Sequence, residues 1–166
     1  MWFDESCFYQ IYPLGYCGAE KENDGGAVRR RLVKIEEHIP AIKEAGFNAV
    51  LFNPLLESER HGYDTIDFFN VDRRLGDNDD FKSLVAKLHA AGIRVVLDGV
   101  FNHVGRRFFA FEEVKRLREN TDKKDWFYIN FGGNTQYNDG FWYEGWEGHM
   151  ELVKLNLQND GVLDYI

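Results

Sequence analysis

The segment Val95-Val96-Leu97-Asp98-Gly99-Val100-Phe101-Asn102-His103-Val104-Gly105 sets an acid, an amide and an imidazole just beyond a run of β-branched and aliphatic residues. An apolar run without alternation reads as a parallel strand covered on both faces, and ligands in such sheets bind beyond the carboxyl ends of the strands. An acid placed like Asp98 can serve as a general base or as a scaffold that orients its neighbours. An imidazole placed like His103 is either a contact to a ligand or a histidine satisfied by neighbouring backbone.

The elements that must position these groups follow a repeating grammar. Phe8 to Tyr12 reads as a first strand, and Gly15 to Gly26, rich in Gly, Asn and Asp, as a loop. Val28, Leu32, Ile35, Ile39 and Ile42 recur at spacings of four and three, the period of one helical face. Pro40 interrupts that helix and is placed to kink or split it. Gly46 is placed to close it as a left-handed cap, and Ala49 to Phe52 follows as the second strand. A second helix begins after Asp77-Asn78-Asp79-Asp80, whose side chains can cap free amides, and its apolar stripe is Phe81, Leu84, Val85, Leu88 and Ala91. Gly92 repeats the part of Gly46, 46 residues later, before the strand from Val95. Strand, helix, strand, helix, strand with right-handed crossovers makes a parallel sheet of the α/β class. Beyond Gly105 a helix near Phe111 to Glu119 leads into an aromatic- and glycine-rich stretch that runs to about His149. Gly161 to Ile166 reads as the first turns of a third helix.

Asp98-x-x-x-Asn102-His103 after a hydrophobic strand resembles the first signature region of the α-amylase family of glycoside hydrolases. Gln10-Ile11-Tyr12-Pro13, His61-Gly62-Tyr63-Asp64 and Leu152-Val153-Lys154-Leu155-Asn156 agree with it in the same order. The last is close to the Met-Pro-Lys-Leu-Asn fingerprint of the neopullulanase, cyclomaltodextrinase and maltogenic amylase branch, with Leu152 and Val153 in its first two places. The resemblance implies a partial (β/α)₈ TIM barrel: its first three strands and two helices, plus a domain-B-like excursion. Residues 1–105 are then three strand units of the barrel, 106–150 the aromatic-rich excursion, and 151–166 a return segment with the start of the third barrel helix. A whole barrel takes about 250 residues, more than this chain has.

The same resemblance implies a retaining hydrolase of α-linked glucans such as starch, maltooligosaccharides, pullulan or cyclomaltodextrins. Tyr63 is implied to stack on a sugar ring and His103 to bond its hydroxyls. Asp98, Asn102 and Asp64 are expected to support these contacts from behind. No catalytic residue is assigned here, because the nucleophile and the general acid of similar enzymes follow later strands. Retention needs two carboxyl groups about 5–5.5 Å apart. Glu57, Asp64 and Asp98 read instead as one solvated loop acid and two scaffold acids. The expectation is a parent enzyme whose isolated N-terminal portion is inactive; the alternative is a non-catalytic glucan-binding or self-assembling barrel fragment.

Composition narrows the partners. A formal charge of −8 argues against nucleic acid and anionic membranes, which need a basic surface, whereas a neutral α-glucan oligosaccharide makes no such demand. Aromatics make up 16% of the chain and cluster after Phe108, where they serve either as sugar platforms or as the core of a small domain. Cys7 and Cys17 permit one bridge but no cysteine zinc site. No cofactor is expected; calcium is open at Asn102, which matches a ligand in many α-amylases, and at Asn23 and Asp24, but Ca²⁺ takes 6–8 oxygens. With no signal-like segment or apolar span, a cytoplasmic location is expected. An unpaired third strand and a bare inner face would favour self-association or pairing with a C-terminal remainder of the barrel.

Overall fold

A computed structural model describes all 166 residues, Met1–Ile166. They divide into two compact units: residues 1–62 with 69–99, and residues 63–68 with 100–166. In the first unit, β1 (Phe8–Ile11) runs into α1 (Pro13–Tyr16), followed by α2 (Val33–Glu44), β2 (Ala49–Phe52), β3 (Leu56–Ser58), β4 (Thr65–Val71), α3 (Asn78–Ala90) and β5 (Arg94–Leu97). The strand β4 passes from the second unit back into the first.

The three main strands are parallel in the order β1-β2-β5, with Tyr9, Val50 and Val95 in register. Tyr9, Ile11, Val50, Phe52 and Val95 pack with Ile35, Ile39 and Ile42 of α2 and Leu84 and Leu88 of α3. Gly46 and Gly92 cap the two helices at φ +85° and +80°, the left-handed conformation that costs glycine nothing. Asp77 accepts from the amides of Asp79 and Asp80, while Asp80 accepts from the amide of Asp77, a reciprocal cap for α3.

Four expectations change. α2 starts at Val33 and not at Val28, which is 48% exposed. The amides of Arg29 and Arg31 bond the carbonyls of Arg73 and Leu75, so this stretch is tied beside another segment before the helix begins. α2 also runs unbroken through Pro40. The expected loop from Gly15 begins inside α1, started by Pro13 at its first position, where a missing N–H costs nothing. Finally, β5 is not covered on both faces: it is an outer strand, Val95 and Val96 are half-buried, and Leu97 is 46% exposed.

The second unit is built differently. β6 (His103–Gly105), α4 (Phe109–Leu117), β7 (Ile129–Asn130), β8 (Trp142–Tyr143), β9 (Gly145–Trp146), β10 (His149–Lys154) and α5 (Asp160–Tyr165) follow in order. Its strands are antiparallel: β6-β10-β9 form one small sheet and β7-β8 another. Residues 100–105 belong here because His103–Gly105 pairs with β10. Phe108, Phe111, Trp126, Phe127, Phe141 and Tyr143 form the core with Val104, Val114 and Val153. Most of the late aromatics are thus packing groups, whereas Trp142 and Trp146 stay exposed. Both cysteines are free, and burial pushes the Cys17 thiol up to about 11.

Candidate functional site

In the second unit, β6 sets His103 opposite Lys154 of β10. The imidazole is 6% exposed. Its Nε2 lies 3.0 Å from the main-chain oxygen of Tyr63, and its Nδ1 lies 3.3 Å from Nδ2 of Asn102. A carbonyl oxygen only accepts, so Nε2 donates to Tyr63, and the direction of the Nδ1 contact with Asn102 is set by the tautomer. The indole of Trp146 lies 5.4 Å from the imidazole at 36°, and Trp146 stacks in turn on His149 at 6.0 Å.

That hydrogen bond brings Tyr63 and His103 together through the backbone of Tyr63. The tyrosine side chain remains 37% exposed, whereas Asp64 and Thr65 after it are buried. The turn before it depends on Gly62, with φ +92°; a Cβ there would come within 2.9 Å of the carbonyl oxygen of Pro54. The hydroxyl of Tyr12 donates to the carbonyl of His61 at 3.2 Å. His61-Gly62 therefore belongs to the first unit and Tyr63-Asp64 to the second.

Asp98 lies in the first unit, half-buried, and its amide extends the parallel ladder by donating to the carbonyl of Phe52 at 2.9 Å. Asn102 is exposed in the second unit, and its carbonyl accepts from the amide of Leu155 at 3.0 Å. Glu57 is not a solvated acid. It is 5% exposed on β3, where it accepts from Nε of Arg73 at 2.5 Å and from Nδ2 of Asn23 at 3.0 Å. The reason is local, since the neighbouring guanidinium and amide replace the water a carboxylate would otherwise keep.

Two neighbours of His103 were not singled out from the sequence as site residues. Trp146 reaches the ring because β9 pairs with β10, which carries a register shift between His149 and Val153. Lys154 bonds Glu144 at 2.6 Å, which raises its pKa. Both lie in stretches that the sequence marks, the aromatic run and Leu152 to Asn156, but a spacing cannot reveal which strand edge each one meets.

Parallel strands joined through helices place the first unit in the α/β class, and a buried imidazole tied to the backbone of a half-exposed tyrosine gives the second unit its polar focus. The family profile described as "Alpha amylase, catalytic domain" matches residues 10–162. The chain belongs to the alpha-amylase family. It is 34% identical over 181 residues to a cyclomaltodextrinase of a Bacillus species, covering 99% of this chain and 32% of that protein. It is 33% identical to neopullulanase 2 of Thermoactinomyces vulgaris, covering 77% of this chain and 25% of that protein. Among solved structures it matches the debranching enzyme from Nostoc punctiforme with a TM-score of 0.82 and 32% identity, over 99% of this chain and 38% of that one. The maltose complex of cyclic alpha-maltosyl-(1→6)-maltose hydrolase from Arthrobacter globiformis gives 0.81 and 29%, over 97% and 40%. The chain thus spans at most about a third of the two curated relatives.

Proposed function

We propose that this chain is the N-terminal portion of a retaining glycoside hydrolase of α-linked glucans, contributing part of the sugar-binding site but neither nucleophile nor general acid. In this reading residues 1–105 are the first three strand units of a (β/α)₈ barrel, 106–150 a domain-B-like excursion, and 151–166 the return to the third barrel helix. The observation that carries it is the bond between His103 and the Tyr63 backbone, which joins the two sugar-contacting candidates in a chain of this family. Tyr63 offers its exposed ring to the apolar face of a glucose unit. His103 holds the Tyr63 backbone through Nε2–H, and its Nδ1, whose contact with Asn102 is the longer at 3.3 Å, accepts a sugar hydroxyl in exchange. Asp64 and Asn102, in the same unit, support these positions, and Asp98 keeps the part of a scaffold acid at the end of β5. The reading includes a cytoplasmic location; an intracellular maltogenic amylase of Bacillus subtilis is 28% identical over 99% of this chain. It also includes a partner for the outer edge of β5, either a second copy or the remainder of the barrel, which light scattering over a concentration series would detect.

The test is titration of maltoheptaose into the purified chain, followed by calorimetry, with Tyr63→Ala and His103→Ala alongside. Loss of a stacking ring is worth about 0.5–1.5 kcal/mol, so Tyr63→Ala is expected to weaken binding by up to about tenfold. No reducing sugar is expected from starch, pullulan or cyclomaltodextrins. Equal binding by both variants, or hydrolysis by the chain that disappears in His103→Ala, would overturn the reading.

A further inference from the structure

In the first unit, loop residues 20–26 converge on two consecutive arginines. Arg74 is 3% exposed and Asp72 is fully buried. The guanidinium grips that carboxylate with two bonds, Nε to Oδ1 at 2.9 Å and Nη2 to Oδ2 at 2.6 Å. Its remaining N–H groups reach Ser58 Oγ at 2.9 Å and the main-chain oxygens of Glu20 at 2.9 Å, Arg60 at 2.8 Å and Lys21 at 3.4 Å. Arg73 does the same beside it, donating to Glu57 at 2.5 Å and to the carbonyl of Gly25 at 2.8 Å.

Two buried carboxylates, a hydroxyl and several backbone carbonyls facing inward form the oxygen set that a hard divalent cation takes. The oxygens are nevertheless engaged. The Asn23 side-chain oxygen accepts from the amide of Gly25 at 3.0 Å, and Asp24 Oδ1 accepts from that of Gly26 at 2.8 Å. The residues thus do not fit calcium at Asn23 and Asp24. Two guanidiniums carry the same double positive charge as one such ion, and arginine's planar fork matches carboxylate geometry where an ammonium does not.

We propose that Arg73 and Arg74 are the resident cations of this loop, doing by hydrogen bonding and charge what a bound divalent ion would do, so that its order is independent of metal. Nη1 of Arg74 bonds the carbonyls of Glu20, Lys21 and Arg60, three residues that line a cavity of about 390 Å³ together with Tyr12 and His61. Arg74 is thereby a positioning residue for that cavity.

The experiment uses the full chain: thermal melting with millimolar calcium or with excess EDTA, and amide hydrogen exchange at residues 19–26. Melting is expected to be the same in calcium and in EDTA. Arg74→Lys is expected to lower protection of the Asn23 amide, which donates to the carbonyl of Glu59 at 2.8 Å, by at least about a hundredfold, because one ammonium cannot replace the fork. Amides of β2 serve as the control for global unfolding. Should Arg74→Lys fail to fold, the more exposed Arg73→Lys is expected to loosen Gly25 and Gly26 by a smaller factor. Stabilisation by calcium, destabilisation by EDTA, or unchanged protection in the lysine variants would overturn the proposal.

Discussion

The two units solve the same problem with different materials. The first buries aliphatic side chains between a parallel sheet and two helices, and it spends its buried charge on the pairs Arg74–Asp72 and Arg73–Glu57. The second has strands of only two to six residues and gathers its core from rings: Phe111 lies 4.8 Å from Tyr143, 5.3 Å from Phe127 and 6.0 Å from Phe141. Its buried charge leans on those rings. Arg106 forks onto both oxygens of Asp139 at 3.0 Å and sits 3.7 Å over the ring of Tyr137. Where strands join in one parallel sheet flanked by helices, aliphatic packing defines the core; where the strands divide into small separate sheets, aromatic geometry and cation–π contacts do so. Tyr143 shows the cost of that choice: burial pushes its phenol up to about 12, so it stays neutral and bonds the carbonyl of Met150 at 2.6 Å.

The comparison breaks most readily at the aromatic core. Phe111→Ala is expected to cost about 3–5 kcal/mol, against about 2–5 for Leu84→Ala in the aliphatic core, both read from denaturant midpoints. Hydrogen exchange adds the location: the phenylalanine variant should first expose amides of β6 and β10, the leucine variant those of α3 and β5. If both variants loosened the same amides by the same amount, the two cores would not be distinct units of stability.

The difference also explains what could be read from the sequence. The first unit's two long helices and three parallel strands announce themselves, because Ile35, Ile39 and Ile42 keep a helical period and Gly46 and Gly92 mark identical stops. Leu32, buried at the N-cap of α2, keeps the same period before the helix begins, so the period alone overran its start. β3 and β4 escaped notice, as Glu57 and Asp67 interrupt any apolar pattern and Glu57 is buried by charge pairing instead. In the second unit a two-residue strand has no period at all, so β7, β8 and β9 were invisible, although the aromatic stretch was marked. Tyr63 and His103 were legible as motif residues. The bond between them was not, since it uses the tyrosine's carbonyl and not its side chain.

A smaller effect tests the turn that divides the His61-Gly62-Tyr63-Asp64 motif between the units. Gly62→Ala must hold a side chain at φ +92° and push its Cβ toward the Pro54 oxygen. The left-handed backbone alone costs an L-residue about 1–2 kcal/mol, and relief of the close approach adds to it. A lowered urea midpoint with an unchanged slope is the expected result. A variant as stable as the parent would mean that this turn tolerates another backbone conformation, and that the presentation of Tyr63 does not depend on glycine.

The smallest effect sharpens the contrast between buried and exposed charge within a single residue. The Glu20 carboxylate makes two bonds to Arg31, at 2.6 and 2.7 Å, while its main-chain oxygen accepts from the buried Arg74 at 2.9 Å. Hydrogen bonding to Arg31 lowers the carboxyl pKa to about 2 from 4.5. A depressed carboxyl pKa contributes stability that is present above about 4.5 and lost as pH falls toward 2. Here the carboxylate is solvated, so salt and water screen the pair and the contribution is small. Glu20→Gln leaves the main-chain oxygen in place. It is therefore expected to melt as the parent does near neutral pH, and to show only a slightly shallower loss of stability between pH 4.5 and 2, fading further in molar salt. A large loss of stability in Glu20→Gln at neutral pH would reverse the assignment, making the exposed side-chain pair and not the buried arginine the anchor of the loop.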